Sequence, residues 1–111
     1  MEINHKTLQD ISIIQVSGKI DAISVMDFDR AVKSVTAQGT NKILLDLSSL
    51  IYINSGGLRV ILAMAKIQKN TGGSCALSGL TPEVNKIFTL AGLNTILSIF
   101  PSEADAIAGM I

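Results

Sequence analysis

The sequence predicts an α/β domain, a mixed and largely parallel sheet of four to five strands carrying about four helices. Three observations predict it. Short β-branched or apolar runs alternate along the chain with amphipathic stretches of helical period. One run, Ile43-Leu44-Leu45-Asp46-Leu47, is nearly continuous in its apolarity, the pattern of a strand covered on both faces. Thr81-Pro82-Glu83 supplies an N-cap, a proline at the first helical position and an acid in the first turn, set between two strand-like runs.

Taken in order, Glu2 to Lys6 alternates weakly and Ile11 to Gly18 is β-branched, which reads as a hairpin or two adjacent strands. From Asp21 the period changes. Val25, Phe28, Ala31, Val32 and Val35 recur at helical spacing, opposite Asp27, Asp29, Arg30 and Lys33, and Gly39 can end this helix. Lys42 to Leu47 forms the next strand, broken by Ser48-Ser49-Leu50. A second helical pattern starts after Ser55 and runs through Lys69 to a turn at Asn70-Thr71-Gly72-Gly73. Ser74 to Ser78 is a strand. Val84, Ile87, Phe88 and Ala91 then form the stripe of a helix ended by Gly92. Ile96 to Phe100 is a short strand stopped by Pro101, and Ser102-Glu103-Ala104-Asp105 opens a last helix carrying Ile107 and Ile111. The order is β-β-α-β-α-β-α-β-α.

With 111 residues, 48% of them hydrophobic, the chain suffices for one core, so residues 1–111 read as a single domain. The formal charge is zero and the nine basic residues are scattered, which argues against a nucleic-acid partner, because phosphate neutralisation needs a basic stripe. Cys75 is the only cysteine and His5 the only histidine, so neither an intrachain disulfide nor a Cys/His metal cluster is available. Glu2 and the strand-like residues after it do not resemble a leader. No apolar run approaches the ~20 residues of a membrane span. The expectation is a cytoplasmic protein in a reducing compartment.

Catalytic residues are not identified. His5 has no partner for base or nucleophile work, and neither Ser17-Gly18-Lys19 nor Ser55-Gly56-Gly57 forms a phosphate-binding loop or a dinucleotide fingerprint, so no cofactor is called. Cys75 reads as an inert thiol within a strand. Asp21, ahead of a helix, and Asp46, read as ending a strand, are both placed at the carboxyl edge of the sheet, where Asp21 is either a helix cap or a binding residue.

The segment Tyr52-Ile53-Asn54-Ser55-Gly56-Gly57-Leu58 holds the point where loop becomes helix. Ser55 reads as a cap accepting an early helical amide, or as something more. On a helical wheel Leu58, Ile61, Leu62 and Ala65 fall on one face and Val60, Ala63, Met64 and Ile67 on much of the opposite one, with Arg59, Lys66, Gln68 and Lys69 supplying the polarity. A helix apolar nearly all round is buried on both sides or lends its second face to a partner. In so small a chain neighbouring helices cover only its flanks, which favours the partner. Self-association through that face is the other use. Phosphorylation of Ser55 would place about −1.5 to −2 charges where helix amides accept an anion, sparing the fold while charging any interface above it.

Ile43-Leu44-Leu45-Asp46-Leu47-Ser48-Ser49-Leu50 followed by Tyr52 to Leu58 resembles the signature of the STAS domain, as in bacterial anti-sigma factor antagonists, where Asp-Leu-Ser precedes Asp-Ser-Ser/Ala-Gly-Leu. Val16 to Ala22 is similar to that family's Gly-x-hydrophobic-Asp segment. The resemblance implies partner switching. The unphosphorylated protein binds an anti-sigma factor that is also a serine kinase, phosphorylation ends binding, and a PP2C-type phosphatase restores it. It carries the phosphoacceptor onto Ser55, and partner contacts onto Asp21, Asn54, Gly56 and Gly57, beside Arg59, Val60, Ala63, Met64 and Ile67 of the helix. Asn54 stands where the family has an acid. Two other roles stay open: an accessory subunit of a lipid-transporting ABC system without phosphorylation, and a small hydrolase or nucleotide-binding enzyme using Ser55.

Overall fold

A computed structural model describes all residues from Met1 to Ile111. Its elements are β1 (Glu2–Leu8), β2 (Ile11–Ile20), α1 (Val25–Ala37), β3 (Lys42–Ile53), α2 (Ser55–Asn70), β4 (Ser74–Ser78), α3 (Pro82–Leu90), a single 3-10 turn (Leu93–Thr95), β5 (Ile99–Phe100) and α4 (Glu103–Met110). The five strands pair in sequence order. β1 and β2 form an antiparallel hairpin, and β2 through β5 run parallel.

Each new parallel strand adds to the same side of its predecessor, so right-handed crossovers put α1, α2 and α3 on one face of the sheet. The main core lies there, between Ile14, Val16, Ile43, Leu45, Leu47 and Leu50 of the strands and Phe28, Val32, Ile61, Met64, Val84 and Phe88 of the helices. α4 closes part of the other face, with Ala106 against Ile11, Ile13, Leu44 and Ala76.

Two boundaries in particular differ from the sequence reading. Ser48-Ser49 does not end β3, which continues to Ile53 through two register shifts against β2. These bulges let Leu47, Leu50 and Ile53, each three residues apart, all reach the helix-covered core, and they leave Ile51 and Tyr52 exposed. Asp46 therefore lies within β3 and not at its end. Its Oδ1 accepts the Ser48 amide at 3.1 Å. The last strand is only two residues, Ile99–Phe100, because the amides of Ile96 and Leu97 fold back onto the Leu93 carbonyl and extend the 3-10 turn into the start of the expected strand.

The face assigned to α2 is the larger correction. Its buried residues are Gly57, Ile61, Met64 and Gln68, a line turned by roughly 80° from the face read off the wheel, at 100° per residue. Met64, read as partner-facing, is fully buried in the main core and drops out of any docking surface. Gln68 belongs to the buried line because its amide donates to the carbonyls of Thr40 (3.0 Å), Asn41 (3.1 Å) and Ser74 (3.2 Å), so burial leaves it satisfied.

Candidate functional site

The carboxyl ends of β2 and β3 lie side by side, and the loops leaving them build one surface. The Asn54 amide donates to the Ile20 carbonyl at 2.9 Å, which ties the start of α2 to the turn that opens at Asp21. In that turn Asp21 Oδ1 accepts the amides of Ile23 (3.0 Å) and Ser24 (3.1 Å), while the Ser24 hydroxyl donates to the Lys19 carbonyl at 2.8 Å. The Ser24 amide and hydroxyl, with the Ile23 amide, hold the Asp21 carboxyl below its ordinary value. Asp21 is thus a turn-former ahead of α1 and not its cap: the N-cap position is Ser24, and the amides that Asp21 accepts precede the helix.

At α2 the cap is Asn54 and not Ser55. Asn54 is extended (φ −88°, ψ 176°), and its Oδ1 accepts the Gly57 amide at 2.8 Å. Ser55 occupies the first helical position, exposed and free of the capping role. Of the two glycines that follow, Gly57 is required by packing and Gly56 sits close against α1. A Cβ at Gly57 would meet Ile53 Cγ1 at 2.6 Å and Ile20 Cγ2 at 2.9 Å, and one at Gly56 would meet Val25 Cγ2 of α1 at 3.2 Å. The first turn of α2 therefore presses directly on the strand ends and on α1, which fixes Ser55 beside the Asp21 turn.

From Ser55 the exposed line of α2 runs through Arg59 and Ala63. Beside it a groove of about 340 Å³ separates α2 from α1, lined by Val25, Met26, Asp29 and Lys33 on one side and Arg59, Val60 and Ala63 on the other. Ile67 is partly exposed but lies about 18 Å along the helix from Ser55, at 1.5 Å per residue.

Of the residues singled out in the sequence, the structure brings Asp21, Asn54, Ser55, Gly56 and Gly57 together. Arg59, Val60 and Ala63 extend that surface, and Ile67 marks its far end; Met64 is excluded, and so is Gly57 as a contact, because it is buried against Ile53 and Ile20 and serves only to seat the helix. The α1 contribution was missed. Ile23, in the turn before α1, is 90% exposed and Met26 of α1 64%; Met26 falls off the Phe28-Val32-Val35 stripe that α1 buries, which is the signal that could have found it.

The family model for the STAS domain matches residues 2–106. The chain belongs to the STAS domain family. An anti-sigma-B factor antagonist of Bacillus subtilis is 31% identical over 101 residues, covering 89% of this chain and 92% of that protein. The crystal structure of an anti-sigma factor antagonist from Mycobacterium paratuberculosis superposes with a TM-score of 0.92 at 21% identity, over 98% of this chain and 92% of that one. SpoIIAA, a Bacillus cell fate determinant and anti-sigma factor antagonist, matches at 19% identity with a TM-score of 0.83 in its unphosphorylated form, over 99% of each chain. Its phosphorylated form gives 0.77, over 99% of this chain and 100% of that one. These last two proteins share the STAS fold with this chain.

Proposed function

We propose that this STAS protein is an anti-sigma factor antagonist that works by partner switching, with Ser55 as the switch. In its unphosphorylated form it binds an anti-sigma factor that is a serine kinase, through the surface formed by Asp21, Asn54, Ser55 and Gly56 and the groove beside Arg59, Val60 and Ala63. The kinase transfers the γ-phosphoryl group of ATP to Ser55 Oγ, releasing ADP and the hydroxyl proton. A PP2C-type phosphatase hydrolyses the ester and returns the free hydroxyl. All of this takes place in the cytoplasm.

The observation that carries the reading is the position of Ser55. Its hydroxyl is exposed at the first helical position, and Asn54 performs the capping that Ser55 would otherwise supply. Modifying it therefore leaves the helix start intact. A phosphate there is tolerated by the helix N-terminus, with a gain of roughly 0.3–1 kcal/mol. Against a partner it is a desolvated double charge that a single neighbouring cation does not neutralise, which costs about 3 kcal/mol or more, a hundredfold or greater loss of affinity. The exposed Ile23 and Met26 supply apolar contact area of the kind a partner covers.

The experiment is incubation with the cognate kinase and ATP, followed by mass spectrometry. One phosphate on Ser55, absent from the Ser55→Ala variant, is the predicted result. No incorporation, or incorporation unchanged by Ser55→Ala, overturns the reading.

A further inference from the structure

We propose that Arg59 receives the phosphate of phosphorylated Ser55, so that modification both charges the start of α2 and draws a cation out of the α1–α2 groove. This rests on Ser55 being the phosphoacceptor. Ser55 and Arg59 are one helical turn apart, at i and i+4, with the anionic position N-terminal to the cationic one, which is the favourable order on a helix. Both are exposed. The four ion pairs of the chain engage Lys6, Arg30, Lys33 and Lys42, so Arg59 is uncommitted. Asp29, the one acid lining the groove with Arg59, is already held by Lys33 at 3.0 Å.

Nothing in the first turn of α2 competes for the guanidinium, since that turn carries no acidic residue. Residue 54 is an amide whose Oδ1 is engaged by the Gly57 amide, so no carboxylate adjoins the phosphate in sequence. The charged groups on the elements packed around this turn are Lys19 and Asp21 beside the end of β2, and Asp27, Asp29, Arg30 and Lys33 on α1. Asp21 opposes a second negative charge nearby, and Arg59 is the group placed to offset it. A planar guanidinium matches phosphate oxygens through two parallel N–H donors, which an ammonium does not.

In the unphosphorylated chain Arg59 borders the groove beside Val60 and Ala63. Once drawn back over Ser55 it no longer does. Phosphorylation thereby alters the docking surface at two places with one covalent change.

The test uses the full chain with phosphoserine installed at position 55 during translation, followed by ³¹P NMR titration. A free phosphoserine has its second pKa near ~6. With Arg59 present, the second ionisation is expected to be roughly twofold easier than in Arg59→Gln, with Arg59→Lys between them and the difference erased in ~1 M salt. The Arg59 side-chain Nε–H resonance should also move on phosphorylation. Identical titrations for wild type and Arg59→Gln at low salt, or an unmoved Arg59 resonance, overturn the proposal. Arg59 is exposed, so coincident unfolding midpoints of the unphosphorylated forms verify that the variants fold. Because no kinase is used, a kinase that fails to modify Ser55 refutes the switch alone, and equal titrations refute the role of Arg59 alone.

Discussion

Replacing Gly57 by alanine tests how the start of α2 is seated. The added methyl would stand 2.6 Å from Ile53 Cγ1 and 2.9 Å from Ile20 Cγ2, on side chains that are themselves fully buried and have nowhere to retreat. Overpacking costs about 1–3 kcal/mol, and two contacts under 3 Å place this site in the upper part of that range, about 2–3 kcal/mol. The better helix propensity of alanine returns up to about 1 kcal/mol. A net loss of roughly 1–2 kcal/mol follows, which lowers the urea midpoint by about 0.5–1 M at unchanged slope. Gly56→Ala is the control. Its methyl meets only a rotatable Val25 methyl at 3.2 Å and the Asn54 Oδ1 at 3.4 Å, so it should stay within about 0.5 kcal/mol of wild type. Equal stability of Gly57→Ala and wild type in urea unfolding would refute the close packing of α2 on the strand ends.

Met64→Ala should cost about 2–4 kcal/mol in denaturant unfolding and Ile67→Ala under about 1 kcal/mol, since Met64 is buried and Ile67 is not; the reverse order would contradict the orientation of α2. Asn54→Ala should lose about 1 kcal/mol as a lost cap, while Ser55→Ala stays within about 0.5 kcal/mol, measured the same way. Burial pushes the Glu103 carboxyl up, but the Lys6 ammonium at 3.0 Å and the Gln15 amide at 2.9 Å more than offset this and leave it below its ordinary value. A carboxyl depressed by folding stabilises above its unfolded pKa, so this contribution fades as pH falls below about 4.3 and through the folded value. Acid titration of stability should accordingly be shallower in Glu103→Gln than in wild type.

Much of this fold is written locally. Thr81 and Ser102 accept the amides of Val84 and Asp105, so α3 and α4 begin where their caps foretold. The alternation of strands and helices led to the mixed sheet because each apolar run had no other way to be covered. What escaped the sequence depended on distant partners. Gln68 looks like a surface residue until the Thr40, Asn41 and Ser74 carbonyls arrive to satisfy it, and that one polar residue in the buried line displaced the assigned face of α2. Ser48-Ser49 looks like a turn until the bulges against β2 carry β3 onward. At the site, Asn54 and Ser55 are both able to cap, and the extended backbone at Asn54 decides between them. Ile23 is hidden for another reason. It precedes the helix, so no periodic stripe marks it, and an exposed apolar residue becomes informative only when the surface beside it is known.

The central claim is that an anion on Ser55 abolishes partner binding while sparing the fold. Isothermal titration of the cognate anti-sigma factor kinase with the unphosphorylated and the Ser55-phosphorylated protein tests it directly. A loss of affinity of about a hundredfold or more, with the phosphorylated protein unfolding at the same urea concentration or slightly higher, is the predicted result. Affinities within about threefold of each other would contradict the account.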